Sequence, residues 1–500
     1  MITHRGPALA ALATAQFLVV LSVSSVNVAL PDLRAGLGLD GTALSWVVTA
    51  YVLGFGAPLL AAGRLADLYG RRRLFALGLA GFAVASLAAG IADGPAQLLV
   101  ARAAQGLGAA LLAPAALALA LGLFPPGGGG RALGVWGAAS GAGGAAGVLL
   151  GGLLTGPFGW PSIFLVTAGL AVPPLVAALR LLPADRPAAN ECVAGRRSGD
   201  QRAHGLSGDQ RVPDRSGVDR PVPDRPADCP PEPDHSAAGR RGLDVPGAVA
   251  VTVGLVAVTY ALSAGGTRGW GSPAVLGPAA LGLAALAWFV RRQRRGAAPL
   301  VPPRLLRTGM TAPANVAMTL LGAVWVGLFY YLPLYQQQVL GQTPLTAALG
   351  QLPLAGMIVA GSTLAPRLPT RAAVTGALAA IALGLAWLSR APVAGTYAAD
   401  LLGPTLLLGA GIGVAFTGLT GLATRDASRS NAATAGGLVN TTRQVGGALG
   451  LALMTTVAQA RTAGLPDGAP TLAAGHSAAF LTGAVLASVA TLIIATRSHS

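Results

Sequence analysis

Apolar runs of about 18 to 26 residues, almost free of charge, recur along the chain and are separated by short arginine-rich stretches. A helix of that length crosses a bilayer, whose hydrocarbon core is about 30 Å thick. Only 10% of the residues are charged, whereas soluble domains carry about 25%, and 53% are hydrophobic. The composition therefore predicts an integral membrane protein, and it excludes a soluble globular enzyme and a disordered or collagen-like chain.

Fourteen apolar runs are predicted to span the membrane, which makes the fold class an all-α membrane protein. The first run is longer than the core of a signal peptide and further runs follow it, so it is predicted to be a retained helix. The runs cover about 9–30, 43–62, 74–91, 96–123, 132–154, 161–181, 245–263, 273–290, 311–333, 344–365, 372–389, 398–423, 434–459 and 475–496.

The arginines of the connecting loops lie almost entirely on one side of the predicted membrane. If the N-terminus is cytoplasmic, the outer loops hold only Arg34, Arg268, Arg390 and Arg461. Because basic loops stay in the cytoplasm, the sequence predicts cytoplasmic N- and C-termini in an inner or plasma membrane. Topology therefore explains the net charge of +16. Nucleic-acid binding is not expected, since the sequence shows no soluble basic face with stacking aromatics.

Residues 182–242 differ in composition from the rest of the chain, because they are rich in Pro, Asp, Arg and Ser. The short sequences SGDQR and VPDR each occur twice in this segment. Acidic and basic residues balance, and no face could be buried, so this segment is predicted to be a disordered cytoplasmic linker. A regulatory or binding role is the alternative. Cys192 and Cys229 lie in it without metal-ligand spacing and are predicted to stay reduced.

The loop after the second run reads GRLADLYGRRR from Gly63 to Arg73. It resembles the GxLaDrxGrkxxl signature of the major facilitator superfamily, which lies between the second and third helices of that family. A glycine at position 63 lets helices approach closely, and one at position 70 permits a tight turn. The carboxylate can pair with a nearby arginine, so the predicted conformational latch comprises Gly63, Asp67, Gly70, Arg71 and Arg72. A basic loop that only sets topology is the alternative.

Further stretches resemble the fourteen-helix drug–proton antiporter branch of this family. They are RAAQGLGAA at 102–110, VNVALP at 26–31, YLPLYQ at 331–336 and NTTRQVGG at 440–447. The resemblance implies two six-helix bundles around a central cavity, with two additional helices between them. The expected domains are 1–181 for the N-terminal bundle, 182–242 for the linker, 243–292 for the additional helices and 293–500 for the C-terminal bundle. Members of the branch export drugs, antiseptics and antibiotics, using the proton gradient.

Two positions depart from the branch. Ser22 stands where the branch has an aspartate in its first helix, and Val148 stands where its fifth helix has a proline. These departures leave the fold intact but bear on proton coupling, and without the proline the fifth span is expected to be straighter. Its glycines recur at small-xxx-small spacing and are predicted to pack against a neighbouring helix, with a part in rocking as the alternative. They are Gly137, Gly141, Gly147, Gly151 and Gly152.

Arg102 and Arg443 are the charged residues predicted to lie well inside spans. Intramembrane charge is costly and usually faces a cavity or a partner, so both are candidates for coupling or substrate binding, with snorkelling as the alternative. Other polar and aromatic residues of the candidate cavity helices could touch substrate, or could instead be interfacial aromatics or interhelical hydrogen bonds. These are Asn27, Trp46, Tyr51, Gln105, Trp136, Asn315, Trp325, Tyr330 and Gln444.

All 18 acidic residues are predicted to lie in loops or at span ends. A lipophilic cation would therefore find no counter-charge at mid-membrane, and Arg102 would repel it. We predict a preference for neutral, zwitterionic or anionic substrates over quaternary ammonium dyes. Proton coupling would need a carboxylate near an entrance, for which Asp32 is the candidate, or a titratable group on the substrate.

The sequence contains no recognisable catalytic or metal-binding pattern. Its five histidines are scattered, mostly in predicted loops, and the chain has no lysine for a nucleotide-binding P-loop. A monomeric secondary transporter is therefore predicted rather than an enzyme, with a small-molecule substrate, the lipid bilayer as its surroundings and no cofactor beyond the proton gradient. Export of a small amphipathic drug, antibiotic or antiseptic by alternating access is the leading prediction.

Two alternatives to an exporter are a facilitator or importer of a small metabolite, and a transport-inactive receptor or assembly subunit. A cavity lined by Arg102, Trp325 and Tyr330 would favour transport. A centre filled with side chains would favour the receptor.

Overall fold

The computed structural model describes residues 5–123, 129–182, 244–295, 309–368, 370–425 and 432–496, and in these ranges the secondary structure is helical, without strands. All but the first residue of the predicted linker 182–242 lies outside the described residues. The helices before it are α1 (Arg5–Leu37), α2 (Gly41–Gly56), α3 (Leu59–Tyr69), α4 (Arg71–Gly90), α5 (Pro95–Gly122), α6 (Gly129–Phe158) and α7 (Pro161–Leu181).

After the linker the chain forms α8 (Val245–Arg268), α9 (Pro273–Arg295), α10 (Thr311–Leu334), α11 (Pro344–Leu364), α12 (Thr370–Leu388), α13 (Leu402–Thr424), α14 (Ala432–Thr462) and α15 (Ala469–Thr496). A π-helical turn, Tyr335–Val339, continues α10, and a second, Tyr397–Leu401, precedes α13. A short 3-10 turn, Ala365–Arg367, ends α11.

A helix lies at each of the fourteen predicted runs, and twelve helices in the described ranges are long and apolar enough to cross a membrane. The two runs outside this set correspond to α2, which has only 16 residues before the break ahead of α3, and to α14, which has 31 residues but carries Arg443. The fold is thus an all-α membrane fold, and the count of fourteen spans stays a prediction.

Helix α1 extends farther than the apolar run predicts. It passes through Pro31 and ends at Leu37, so Asp32 lies within the helix rather than at its end. A proline is tolerated in a membrane helix when neighbours satisfy the freed backbone groups. The carboxylate of Asp32 is consequently placed about a turn and a half before the helix terminus.

Contacts divide most helices into two groups. Helices α1–α7, here called the N-terminal bundle, pack mainly on one another, and α10–α15, the C-terminal bundle, do the same. The bundles meet along two seams, α2 against α14 and α6 against α11. Side-chain hydrogen bonds also cross between them: Gln337 Nε2 donates to the Val28 carbonyl at 2.9 Å, and Gln459 Nε2 donates to Thr42 Oγ1 at 3.0 Å.

The additional helices α8 and α9 pack on each other, and Arg292 pairs with Asp244 at 2.6 Å across them. Helix α8 also lies against the α2–α14 seam. Thr456 Oγ1 of α14 donates to the Leu262 carbonyl at 2.6 Å, and the rings of Trp46 and Tyr260 are 6.5 Å apart. This helix therefore contacts both bundles.

Helix α6 uses two faces, one against α1 and one against α11. On the first face, three glycines spaced four residues apart lie so close to the α1 backbone that a Cβ atom would force movement. These are Gly143, Gly147 and Gly151. On the second face, Gly152 contacts Pro344 and Ala348 of α11, and Val148 is buried with Val28 and Ala348. The position where relatives have proline thus lies between the bundles.

The predicted packing role of Gly137 is wrong. A Cβ atom on this residue would meet nothing within 4 Å, since position 137 is out of register with the four-residue spacing that faces α1. Gly141 faces α11 instead, where a Cβ atom would lie 3.5 Å from Cγ2 of Val359.

These placements provide a matched pair of substitutions. We expect Gly147→Val to destabilise the protein by about 1–3 kcal/mol, because the new side chain would press on the α1 backbone at Leu21. Gly137→Val should leave stability unchanged, although the same residue type enters the same helix. The melting temperatures of the purified variants in detergent test this expectation, and equal values for the two variants would contradict the packing assigned to α6.

Candidate functional site

Arg102 lies on α5 and is fully buried, at 0% exposure. Its Nε donates to the Val47 carbonyl of α2 at 3.0 Å, and its Nη1 lies 3.4 Å from Ser22 Oγ of α1 and 2.5 Å from Gln105 Oε1. Gln105 in turn donates to Ser86 Oγ of α4 at 2.7 Å. One guanidinium therefore links four helices of the N-terminal bundle.

Aromatic rings complete the enclosure of Arg102. Its guanidinium carbon is 4.5 Å from the ring centre of Tyr51 and 5.8 Å from that of Phe164. No carboxylate among the described residues lies within ion-pair distance of it. The side chain has no exposed surface and its Nε and Nη1 are engaged, so Arg102 is enclosed by the N-terminal bundle in this conformation.

Arg443 lies on α14 in a different environment. It is partly exposed, although it is eleven residues inside its helix. Its Nη2 donates to Asn440 Oδ1 at 2.9 Å, whereas its Nε finds no hydrogen-bond acceptor among the described residues. An arginine this far inside a membrane helix that keeps exposed surface is a candidate for contact with a ligand.

Aromatic side chains surround Arg443. The guanidinium carbon is 5.8 Å from the ring centre of Trp325 on α10 and 5.5 Å from that of Phe416 on α13. Phe329 stacks on Trp325 with centroids 6.0 Å apart. All three rings are partly exposed. Together with Asn440 and Arg443 they form what we call the Arg443 site.

The structure does not bring Arg102, Trp325 and Tyr330 together. Tyr330 is buried on α10, with its ring 5.0 Å from that of Tyr331, while Arg102 is enclosed in the other bundle. A cavity shared by these three residues is therefore absent from the described ranges, and of the three only Trp325 belongs to the Arg443 site.

The remaining cavity candidates lie at separate places. Asn27 is buried with its Oδ1 unpartnered, and Asn315 accepts from Thr442 Oγ1 at 3.1 Å. Gln444 is buried and packs against Gly56 of α2. Trp46 contacts Tyr260 of α8, and Trp136 is partly exposed on α6. Among them, Gln444 lies beside the Arg443 site and at a seam between the bundles.

The predicted latch occupies the junction of α3 and α4. Gly70 has φ +102°, a backbone conformation that favours glycine, and it lies between the two helices. Arg72 donates to the Leu179 carbonyl of α7, Arg71 is exposed, and Gly63 is partly buried near Pro114. The side chain of Asp67 lies outside what the structure describes, so its pairing stays a prediction.

His476 is a residue that sequence reasoning missed. It lies at the start of the last predicted run, and the structure places it in α15 at 5% exposure. Its Nδ1 is 2.5 Å from the Leu472 carbonyl, and its ring contacts Tyr331 and Tyr335 at 5.4 and 6.0 Å. The final helix begins at Ala469, several residues before the apolar run, so His476 lies within the helix rather than at its first residue. Within the described ranges, no group of three or more His, Cys, Asp or Glu side chains could hold a metal ion.

The family model for the Major Facilitator Superfamily matches residues 12–226 and 234–451. The chain belongs to the major facilitator superfamily. Solved structures of members with low identity agree in fold: the inward-open xylose transporter XylE from E. coli gives a TM-score of 0.61 at 10% identity, covering 98% of this chain and 96% of that one. A structure from a study of proton dependent oligopeptide transporters gives 0.64 at 14% identity, covering 98% of each chain.

Curated relatives are similar over most of the chain. The cephamycin export protein CmcT of Amycolatopsis lactamdurans is 38% identical over 460 residues, which are 91% of this chain and 85% of that protein. The puromycin resistance protein pur8 of Streptomyces alboniger is 37% identical over 457 residues, 90% of this chain and 81% of that protein. These superfamily relatives are transporters, which agrees with the predicted class.

The Arg102 cluster generates a stability prediction. Ser22→Asp places a carboxylate beside the guanidinium, whereas Ser22→Asn places a neutral group of the same shape there. We expect the aspartate variant to be more stable than the asparagine variant by about 1.5–3 kcal/mol, since a hydrogen bond between charged groups is stronger. Thermal unfolding of both variants in detergent measures the difference. Equal stability would show that the charge of Arg102 is already compensated.

Proposed function

We propose that this protein is an exporter of a small amphipathic antibiotic or drug, of the fourteen-helix drug–proton antiporter branch. The observation that carries the proposal is similarity along nine-tenths of the chain to proteins named for cephamycin export and puromycin resistance. The two-bundle arrangement supports alternating access between the sides of the membrane. The distribution of arginines supports cytoplasmic termini. It places the C-terminal end of α1 and the N-terminal end of α2 on the outer side.

The contacts between the bundles are suited to rocking. The two cross-bundle hydrogen bonds described above, from Gln337 and Gln459, join neutral groups near the proposed outer side. Neutral hydrogen bonds contribute only about 0.5–1.5 kcal/mol each, so substrate or proton binding can offset their loss. The α6–α11 seam consists of small or β-branched residues such as Gly152, Val148 and Ala348.

Proton coupling is the energy source that we propose. In the described membrane helices and their π-helical turns, the carboxyl and imidazole side chains are those of Asp32, Asp400 and His476. All three lie in the outer third of their segments under the proposed topology, where protons would be taken up. No carboxylate of the described ranges pairs with Arg102, so coupling here would not use an ion pair at that position.

Expression in a bacterial host that lacks its own drug pumps tests export. We expect a lower intracellular concentration and a higher inhibitory concentration for at least one antibiotic of a panel. Collapse of the proton gradient with an uncoupler should restore accumulation. Empty vector is the control, with membrane levels checked by immunoblot. Increased accumulation would instead identify an importer, and no change for any compound would support a receptor or assembly subunit.

The latch gives a second test of alternating access. Asp67→Asn should leave membrane insertion normal but reduce the export rate at least tenfold, because the loop would lose the charge proposed to hold the bundles on the cytoplasmic side. Asp93→Asn is the matched control, since Asp93 is an exposed carboxylate at the opposite ends of α4 and α5. Export at the same rate by both variants would rule out the latch role of Asp67.

A further inference from the structure

We infer that the Arg443 site binds the carboxylate of an aromatic or conjugated organic anion, an assignment that rests on the proposed export function and names its substrate class. The guanidinium takes the carboxylate, and the rings of Trp325, Phe329 and Phe416 take the apolar part of the molecule.

The first argument is that most N–H groups of Arg443 have no hydrogen-bond acceptor among the described residues. Among the described residues, the Arg443 side chain, which carries five N–H groups, makes one hydrogen bond, from Nη2 to Asn440. The buried Nε has no acceptor among the described residues, yet the residue as a whole retains exposed surface. A carboxylate accepts two parallel hydrogen bonds from an arginine, so it would supply the acceptor that the buried Nε lacks among the described residues.

The charge of Arg443 is the second argument. No carboxylate among the described residues lies within ion-pair distance, so the protein itself supplies only neutral groups and aromatic faces. Cation–π contact with Trp325 and Phe416 compensates only part of the desolvation of a buried charge. An anionic ligand would complete the compensation, whereas a cationic ligand would be repelled in the same low-dielectric surroundings.

Arg102 shows what a structural arginine looks like in this molecule. It has no exposed surface, and its Nε and Nη1 contact groups on the N-terminal bundle. Arg443 differs on both counts, because the residue is partly exposed and its Nε has no acceptor among the described residues. The contrast within one chain separates a guanidinium that holds helices together from one that is open to a ligand.

The position of the site connects binding to movement. The neighbouring residue, Gln444, packs against Gly56 of α2, so α14 carries the Arg443 site directly beside a seam between the bundles. Rocking of the bundles would change the surroundings of Arg443, and with them its affinity for an anion. Three C-terminal helices contribute to the site, α10, α13 and α14.

Binding to the purified full-length protein tests the inference without requiring transport. The probes are 1-naphthoate, the neutral 1-naphthamide and the cationic 1-naphthylmethylammonium, which share one ring system and differ in charge. Equilibrium dialysis in nanodiscs of zwitterionic lipid gives their Kd values. We expect 1-naphthoate to bind tightest, and Arg443→Gln to weaken it by about 10- to 100-fold while changing the amide little.

Two further variants separate a binding role from a folding role. Arg443→Lys keeps the charge but loses the planar fork, so it should bind 1-naphthoate more weakly than the natural protein and more tightly than Arg443→Gln. Phe416→Leu, with Arg443 intact, should weaken 1-naphthoate and 1-naphthamide alike. Melting temperatures of all variants show whether each is folded, and if Arg443→Gln is unfolded, Arg443→Lys and Phe416→Leu decide.

The outcomes distinguish this inference from the proposed function. Naphthoate binding that is no tighter than naphthamide binding, or that is indifferent to the Arg443 variants, would overturn the site even if cells export an antibiotic. A requirement for added anionic lipid would assign Arg443 to a lipid headgroup and would also overturn it. Arg443-dependent binding without export in cells would uphold the site and refute the exporter.

Discussion

A guanidinium inside a bilayer must find its hydrogen-bond partners in the protein, because the hydrocarbon offers none. Much of this structure follows from how two arginines meet that requirement. Around Arg102, a backbone carbonyl of α2, a hydroxyl of α1 and an amide of its own helix α5 converge, so a single side chain joins helices of the N-terminal bundle. Around Arg443 the described residues supply aromatic faces and one amide, and its buried Nε has no acceptor among them. The first arrangement gives rigidity, and the second is the site that we propose for a counter-charge.

The replacement of an acidic residue by Ser22 has a physical meaning in this context. The hydroxyl still lies within reach of Arg102, but it neither neutralises the charge nor gains or releases a proton at physiological pH. The N-terminal bundle therefore holds a permanent positive charge where an aspartate would make a titratable pair. Asp32, Asp400 and His476 lie nearer the outer side under the proposed topology, which separates the proposed proton path from the arginine cluster.

The apolar runs were sufficient to predict the helices, the membrane environment and the two arginines inside spans, because length and hydropathy are local properties of a sequence. Which face of a helix meets a neighbour is not local. Gly137 and Gly147 look alike in the sequence, and only register against α1 separates them. Likewise Arg102 and Arg443 are both single charges in apolar runs, and only the surrounding helices show that one is enclosed. His476 was missed because its helix begins in a polar, glycine-containing stretch that hydropathy does not mark.

The two seams between the bundles differ in what covers them. Helix α8 lies over the α2–α14 seam and is fixed there by Thr456 and by the pair of Trp46 and Tyr260. The α6–α11 seam is lined by Gly152, Val148 and Ala348, whose small or branched side chains hold it shut by contact alone. A hydrophobic compound dissolved in the bilayer would have to displace a whole helix to pass the first seam. At the second it would meet only small or β-branched side chains, so entry from the lipid would be easier on that flank of the molecule.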